Sequence, residues 1–229
     1  MWSALRPLLL ATLLGVTACT TPTAVTPLTG TIKAKQAQFM AAAEQRPIPA
    51  GAVIAIGSSH LEKWKTLKAD LGGLDIYNHG IGGSKMSQAN EHFIANLAIP
   101  FRPRAVLLYE GSNDLAAGAT PDAILAHFRG LHQQLHTALP ATRLYVLGLV
   151  PSPGKRFEKI ADLKRTNELL RQESATRPWM TYIDTTSPLL GPDGQPRAEC
   201  FIPGDIHMTP AGYVRWTAAI APVLAKEKR

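Results

Sequence analysis

Five short, almost unbroken apolar runs recur along the chain, at residues 53–56, 74–77, 104–109, 143–150 and 180–183. Runs this short and this continuous suit strands buried on both faces, as in a parallel sheet. Helical patterns fill the intervals. Thr120-Pro121-Asp122 reads as an N-cap with Pro at the first helical position, and Ile124, Phe128, Leu131 and Leu135 follow at helical spacing. Ile160, Leu163, Asn167 and Leu170 repeat the pattern. Thr209-Pro210 repeats the cap signal ahead of Tyr213, Trp216, Ile220 and Leu224. The alternation predicts an α/β chain, a three-layer α/β/α sandwich around a five-stranded parallel sheet. The carboxyl ends of such strands are where functional groups are expected. A length of 229 residues suits one medium domain, and 45% hydrophobic with 18% charged residues excludes disorder as the main character. Residues 187–200 carry Gly191, Pro192, Asp193, Gly194 and Pro196 and read as turns.

The first residues read differently. Arg6 precedes an apolar run at 8–16 that is too short to span a bilayer and fits the core of a secretory signal. Val16-Thr17-Ala18-Cys19 resembles a bacterial lipobox, which implies a lipid on Cys19 after removal of residues 1–18. Residues 20–29 are rich in Thr and Pro, as in an extended tether. The expected division is a signal peptide at 1–18, a lipidated Cys19 with tether and leading helix at 19–46, and one globular domain at 47–229. The residue after Cys19 is Thr20 rather than Asp, so the expected location is the outer membrane, facing the periplasm. Cys200 is then left without an intramolecular partner and reads as a buried bystander. Two cysteines also exclude a disulfide framework and a four-cysteine zinc site. The formal charge of +7 invites a nucleic-acid partner. Its Lys and Arg are scattered, with no basic stripe interleaved with aromatics, so no nucleic-acid partner is expected.

The strand ends carry the chemistry. The first run leads into Gly57-Ser58-Ser59-His60, and a Gly after a buried strand lets the chain turn and present Ser59 at the sheet edge like a nucleophile. His60 follows directly and is a candidate pocket residue. The second run leads into Asn78-His79-Gly80-Ile81-Gly82-Gly83-Ser84, whose glycines free backbone N–H groups to approach a ligand; His79 reads as an ordinary loop residue. The third ends in Glu110-Gly111-Ser112-Asn113-Asp114, where an Asn amide can meet a developing oxyanion. Asp205-Ile206-His207 precedes the last helix, and His207 is the best candidate for a general base.

These four blocks, in this order, resemble those of the SGNH (GDSL-type) esterase/lipase hydrolases over roughly residues 50–225. The resemblance implies a flavodoxin-like SGNH fold and ester hydrolysis through an acyl-enzyme, without cofactor or metal. It implies Ser59 as nucleophile and His207 as its base. The Ser59 and Gly83 N–H groups and the Asn113 side chain would form the oxyanion hole. Two positions depart from the family pattern. Ser58 stands where the first block usually has Asp, as in a Gly-Ser-Ser branch. The acid expected three residues before His207 is absent, because position 204 is Gly. Asp205 is the nearby carboxylate, and either it or a backbone carbonyl would orient the imidazole.

Competing motifs fit less well. Leu61 breaks G-x-S-x-G after Ser59, and Lys85 stands where a dinucleotide fingerprint opening at Gly80 needs its last Gly. Ser152 and Lys155 match S-x-x-K across a Pro-Gly turn, a chance match. His132 and His136 share a helix face and read as a solvated flank. The expected substrate is a small-molecule, glycan or lipid ester, with short acyl or acetyl groups favoured. The alternative is a weak or inactive relative that binds an acyl or glycan ligand, motivated by the displaced Asp.

Overall fold

A computed structural model describes residues 26–228; the signal segment and Cys19 lie outside the described residues. The chain opens with α1 (Gly30–Gln45), then β1 (Val53–Gly57), α2 (Ser59–Lys63), α3 (Leu67–Asp70) and β2 (Ile76–Gly80). Next come α4 (Met86–Gln88), running on into the π-helical segment Ala89–Ala98, then β3 (Ala105–Tyr109), α5 (Ser112–Ala116) and α6 (Pro121–Ala138). The last part holds β4 (Arg143–Leu147), a 3-10 helix at Gly154–Lys159, α7 (Ile160–Ala175), β5 (Met180–Ile183) and α8 (Pro210–Leu224). All five strands pair in parallel, in the order β2-β1-β3-β4-β5. The three-layer α/β/α architecture with a five-stranded parallel sheet is the fold the apolar runs predict.

Burial explains the pattern. Every residue of β1 and β3 is buried, because the π-helical segment, α6 and α7 pack in one layer while α2 and α8 lie together in another. Each Leu or Ile side chain so enclosed contributes about 1.5–3 kcal/mol of burial. The expected caps form: Thr120 Oγ1 accepts from Ala123 N–H at 3.2 Å and Thr209 Oγ1 from Gly212 N–H at 3.4 Å. Cys200 is free and buried.

Two strands differ from the apolar runs by more than one residue at an end. β2 lies at Ile76–Gly80 rather than 74–77. Its polar members are tolerated because their side chains are satisfied: Asn78 Nδ2 donates to Leu61 O at 2.6 Å, and His79 Nδ1 lies 3.0 Å from Leu97 O. His79 is therefore a buried strand residue between Phe39 and Phe101, not a loop residue. β4 stops at Leu147 rather than 150. Beyond it, side chains replace the ladder: Leu149 N–H donates to Asn167 Oδ1 at 2.9 Å, and the Thr185 and Thr186 hydroxyls donate to the Gly148 and Leu149 carbonyls at 2.7 Å. His132 also departs from expectation. It is buried, with Nε2 3.1 Å from Glu173 Oε1, while His136 stacks on Trp179.

Candidate active site

Ser59 opens α2, two residues beyond the end of β1. The approach is so close that a Cβ on Gly57 would lie 2.4 Å from Tyr109 O in β3, which only glycine avoids. As the first helical residue, Ser59 has an N–H with no intrahelical acceptor, and among the described residues nothing takes it.

His207 comes from the other end of the chain. Asp205 N–H donates to Ile202 O at 2.9 Å and Ile202 N–H to His207 O at 3.0 Å, closing a tight turn. Gly204 sits in it at φ +74°, a left-handed conformation that favours glycine. The carboxylate is instead supplied one residue later: Asp205 Oδ1 lies 2.8 Å from His207 Nδ1. His207 Nε2 lies 3.0 Å from Ser59 Oγ, so Ser59, His207 and Asp205 form one connected row. Slight burial opposes ionisation of Asp205, but hydrogen bonds from His207 and from the Ile206 N–H (2.6 Å) outweigh it and hold its carboxyl below the usual value. Between the two, the Ile206 carbonyl does not face the imidazole as acceptor. It is taken by Ser152 Oγ at 2.8 Å and His60 Nε2 at 3.3 Å.

His60 is buried beneath this row. Burial, then the neighbouring His207, lowers its pKa to about 3, so it is a neutral imidazole at physiological pH. Its Nε2 then carries the hydrogen given to Ile206 O, and the Tyr109 hydroxyl stands 3.4 Å from Nδ1. His60 thus lines the pocket and also braces the His207 segment.

The other side of Ser59 is formed by two turns. A Cβ on Gly82 would lie 3.8 Å from Ser59 Cβ, which places the Gly82-Gly83 turn beside the hydroxyl. The Gly83 N–H has no acceptor among the described residues. Asn113, in α5 after β3, donates from Nδ2 to Ser84 O at 2.9 Å and accepts at Oδ1 from Arg156 Nη2 at 3.1 Å. Arg156 Nη1 also donates to Ser112 O at 2.6 Å. A guanidinium on one side and a carbonyl on the other set which way the amide points, leaving one Nδ2 hydrogen for a ligand. Below, Ser84 Oγ donates to Glu110 Oε1, and Met86 N–H donates to Asp114 Oδ2 at 3.0 Å. Glu110 is fully enclosed, its Oε2 has no partner, and burial pushes its carboxyl well above the ordinary value. Burial also raises Asp114.

Beyond Ser59 a narrow slot is walled by Leu115, Val150, Leu163 and Ile206 and edged by Ser112, Asn113, Arg156 and Lys159. Its free space is about 20 Å³, room for about one water. Arg156, Glu110 and Lys159 were not legible as site residues. Glu110 carried a signal, a charge at the end of an otherwise apolar strand.

Residues 51–215 match the model of the GDSL-like lipase/acylhydrolase family. The chain is 28% identical over 151 residues to platelet-activating factor acetylhydrolase IB subunit alpha1 of Bos taurus, covering 62% of each chain. The chain therefore spans about three fifths of the length of that curated relative. Among solved structures, a GDSL-like lipase from Bacteroides thetaiotaomicron superposes with a TM-score of 0.70 at 18% identity, over 84% of this chain and 98% of that one. A platelet-activating-factor-named protein from Streptococcus pneumonia superposes with a TM-score of 0.74 at 17% identity, over 85% and 92%. At these identities the superpositions speak for the fold. The family model, by contrast, spans most of the chain and every residue of the Ser59–His207 site, so this protein belongs to the GDSL-like lipase/acylhydrolase family.

Proposed function

We propose that this enzyme is a serine esterase that removes short acyl groups, acetyl above all, through an acyl-enzyme. The observation that carries the mechanism is the row Ser59 Oγ–His207 Nε2 (3.0 Å) and His207 Nδ1–Asp205 Oδ1 (2.8 Å). His207 Nε2 takes the Ser59 proton as Oγ bonds to the ester carbonyl carbon. Asp205 holds the imidazole in the tautomer whose Nε2 can accept, and stabilises the imidazolium that forms. Negative charge then develops on the former carbonyl oxygen. The Ser59 and Gly83 N–H groups and the free Asn113 Nδ2 hydrogen are the donors suited to it. Collapse expels the alcohol with the proton from His207. Water, activated by the same base, repeats the steps and frees the acid.

Short acyl groups are favoured by the slot, which has room for a methyl but not for a long chain. The relative named an acetylhydrolase and a solved structure named an acetyl esterase are consistent with this. The alternative of an inactive relative draws its motive from Gly204, and the 2.8 Å Asp205 contact supports the active reading instead. The enzyme is further proposed to be a lipoprotein, with Cys19 anchoring it in the outer membrane facing the periplasm.

The test is hydrolysis of p-nitrophenyl acetate by the wild type and by Ser59→Ala. The expected loss in kcat is at least about 10³-fold. Equal turnover by the two proteins would refute the proposal.

A further inference from the structure

We infer that the substrate of this site is an anionic ester, with a carboxylate or phosphate held by Arg156 and Lys159 at the edge of the slot. The inference rests on the esterase reading and names the substrate class of the same site. Arg156 and Lys159 lie on the 3-10 helix Gly154–Lys159. Residues three apart on such a helix stand one above the other, and both side chains line the slot beside Ser59 and Asn113. Among the described residues no Asp or Glu lines it: the remaining polar members are the neutral Ser59, His60, Ser112, Asn113 and Ser152. Among the described residues neither cation forms an ion pair, although Arg129, Arg143, Arg171 and Arg177 on other faces all do.

Two cations without an ion pair at the edge of one narrow, partly apolar cleft are a recognition feature. Arg156 is half-buried at the slot, while Lys159 is exposed at its mouth. Arg156 spends two of its five N–H groups on Ser112 O and Asn113 Oδ1, both uncharged acceptors. Its charge stays available one side chain away from the proposed oxyanion donor. An anion there would also tighten the guanidinium that orients Asn113, linking substrate charge to the hole.

Two matched pairs of esters test this and locate the charge. Mono-(4-nitrophenyl) succinate against 4-nitrophenyl butyrate places a carboxylate on the acyl side. 4-Acetoxybenzoate against its methyl ester places it on the alcohol side. In at least one pair the wild-type kcat/KM ratio, anionic over neutral, is expected to exceed about fivefold. Lys159→Gln should lower that ratio about three- to tenfold, Lys159→Glu should lower it further, and 0.5 M salt should compress it. The ratio cancels any general loss in a variant. Wild-type ratios at or below one in both pairs, or a ratio that neither variant moves, would overturn the inference. Calorimetric titration of the same compounds into Ser59→Ala reads the preference without turnover. An inactive wild type would then count against the esterase reading, while the binding ratio still decides this one.

Discussion

A one-residue displacement of the acid is the residue-scale feature that most affects the chemistry. Gly204 takes a left-handed conformation to close the turn, and Asp205 supplies the carboxylate from the next position. Asp205 is 42% exposed at its side chain, so solvent screens it. In the proposed mechanism its main service is therefore to fix the His207 tautomer. Asp205→Asn presents an NH2 group or a reoriented amide to Nδ1 and is expected to lower kcat about 10²–10⁴-fold with KM little changed. Activity within threefold of wild type would show that the carboxylate does not orient the base. Ser59, Asn113 and His207 were legible because each sits at a strand end or before a capped helix, places that periodicity alone can find. Arg156 and Glu110 were not, because their roles are made by partners far along the chain. Arg156 meets Asn113 across 43 residues, and Ser84 meets Glu110 across 26.

At the scale of elements, the turn after β2 and the turn after β3 behave as one unit. Ser84 is held twice, by its hydroxyl to Glu110 and by its carbonyl to Asn113, and Asp114 takes the Met86 N–H that starts α4. The glycine-rich composition of residues 80–83 announced a loop that could approach a ligand. It did not announce that two buried carboxyls hold the loop in place. Glu110 carries a pH signature. The unfolded chain ionises it near the ordinary 4.5, while the folded protein keeps its proton to higher pH. Folding stability from this group is thus present below about pH 4.5 and declines as pH rises toward the folded value. Glu110→Gln cannot ionise, so its Tm relative to wild type should climb between pH 4 and pH 8. A difference that stays constant with pH would show that Glu110 titrates normally. The β2 and β4 bounds follow similar logic. Asn78, His79, Asn167 and Thr186 satisfy or replace backbone bonds with side chains, and no apolar pattern reports that.

For the whole molecule, the layer count, strand number and parallel pairing were all written in the apolar runs, because a sheet covered on both faces leaves no polar alternation. Strand order was not, since it depends on which crossovers pack on which face. The positive charge balance takes on a meaning at this scale: Arg156 and Lys159 carry part of it at the slot, without an ion pair among the described residues. The lipoprotein proposal is tested on whole cells. Labelled palmitate should enter the wild type but not Cys19→Ser, and fractionation should place the wild type in the outer membrane. Recovery of unlabelled wild type in the soluble fraction would refute the anchor, and inner-membrane recovery would refute the location.

In the proposed mechanism His207 makes one serine nucleophilic. An alkyl fluorophosphonate reacts far faster with such a serine than with an ordinary hydroxyl, and mass spectrometry of the digested adduct reads which one. A single adduct per chain is expected, on the peptide carrying Ser59, absent from Ser59→Ala and slowed in a variant lacking the His207 imidazole. An adduct on any other serine, or labelling of Ser59→Ala at the wild-type rate, would contradict it.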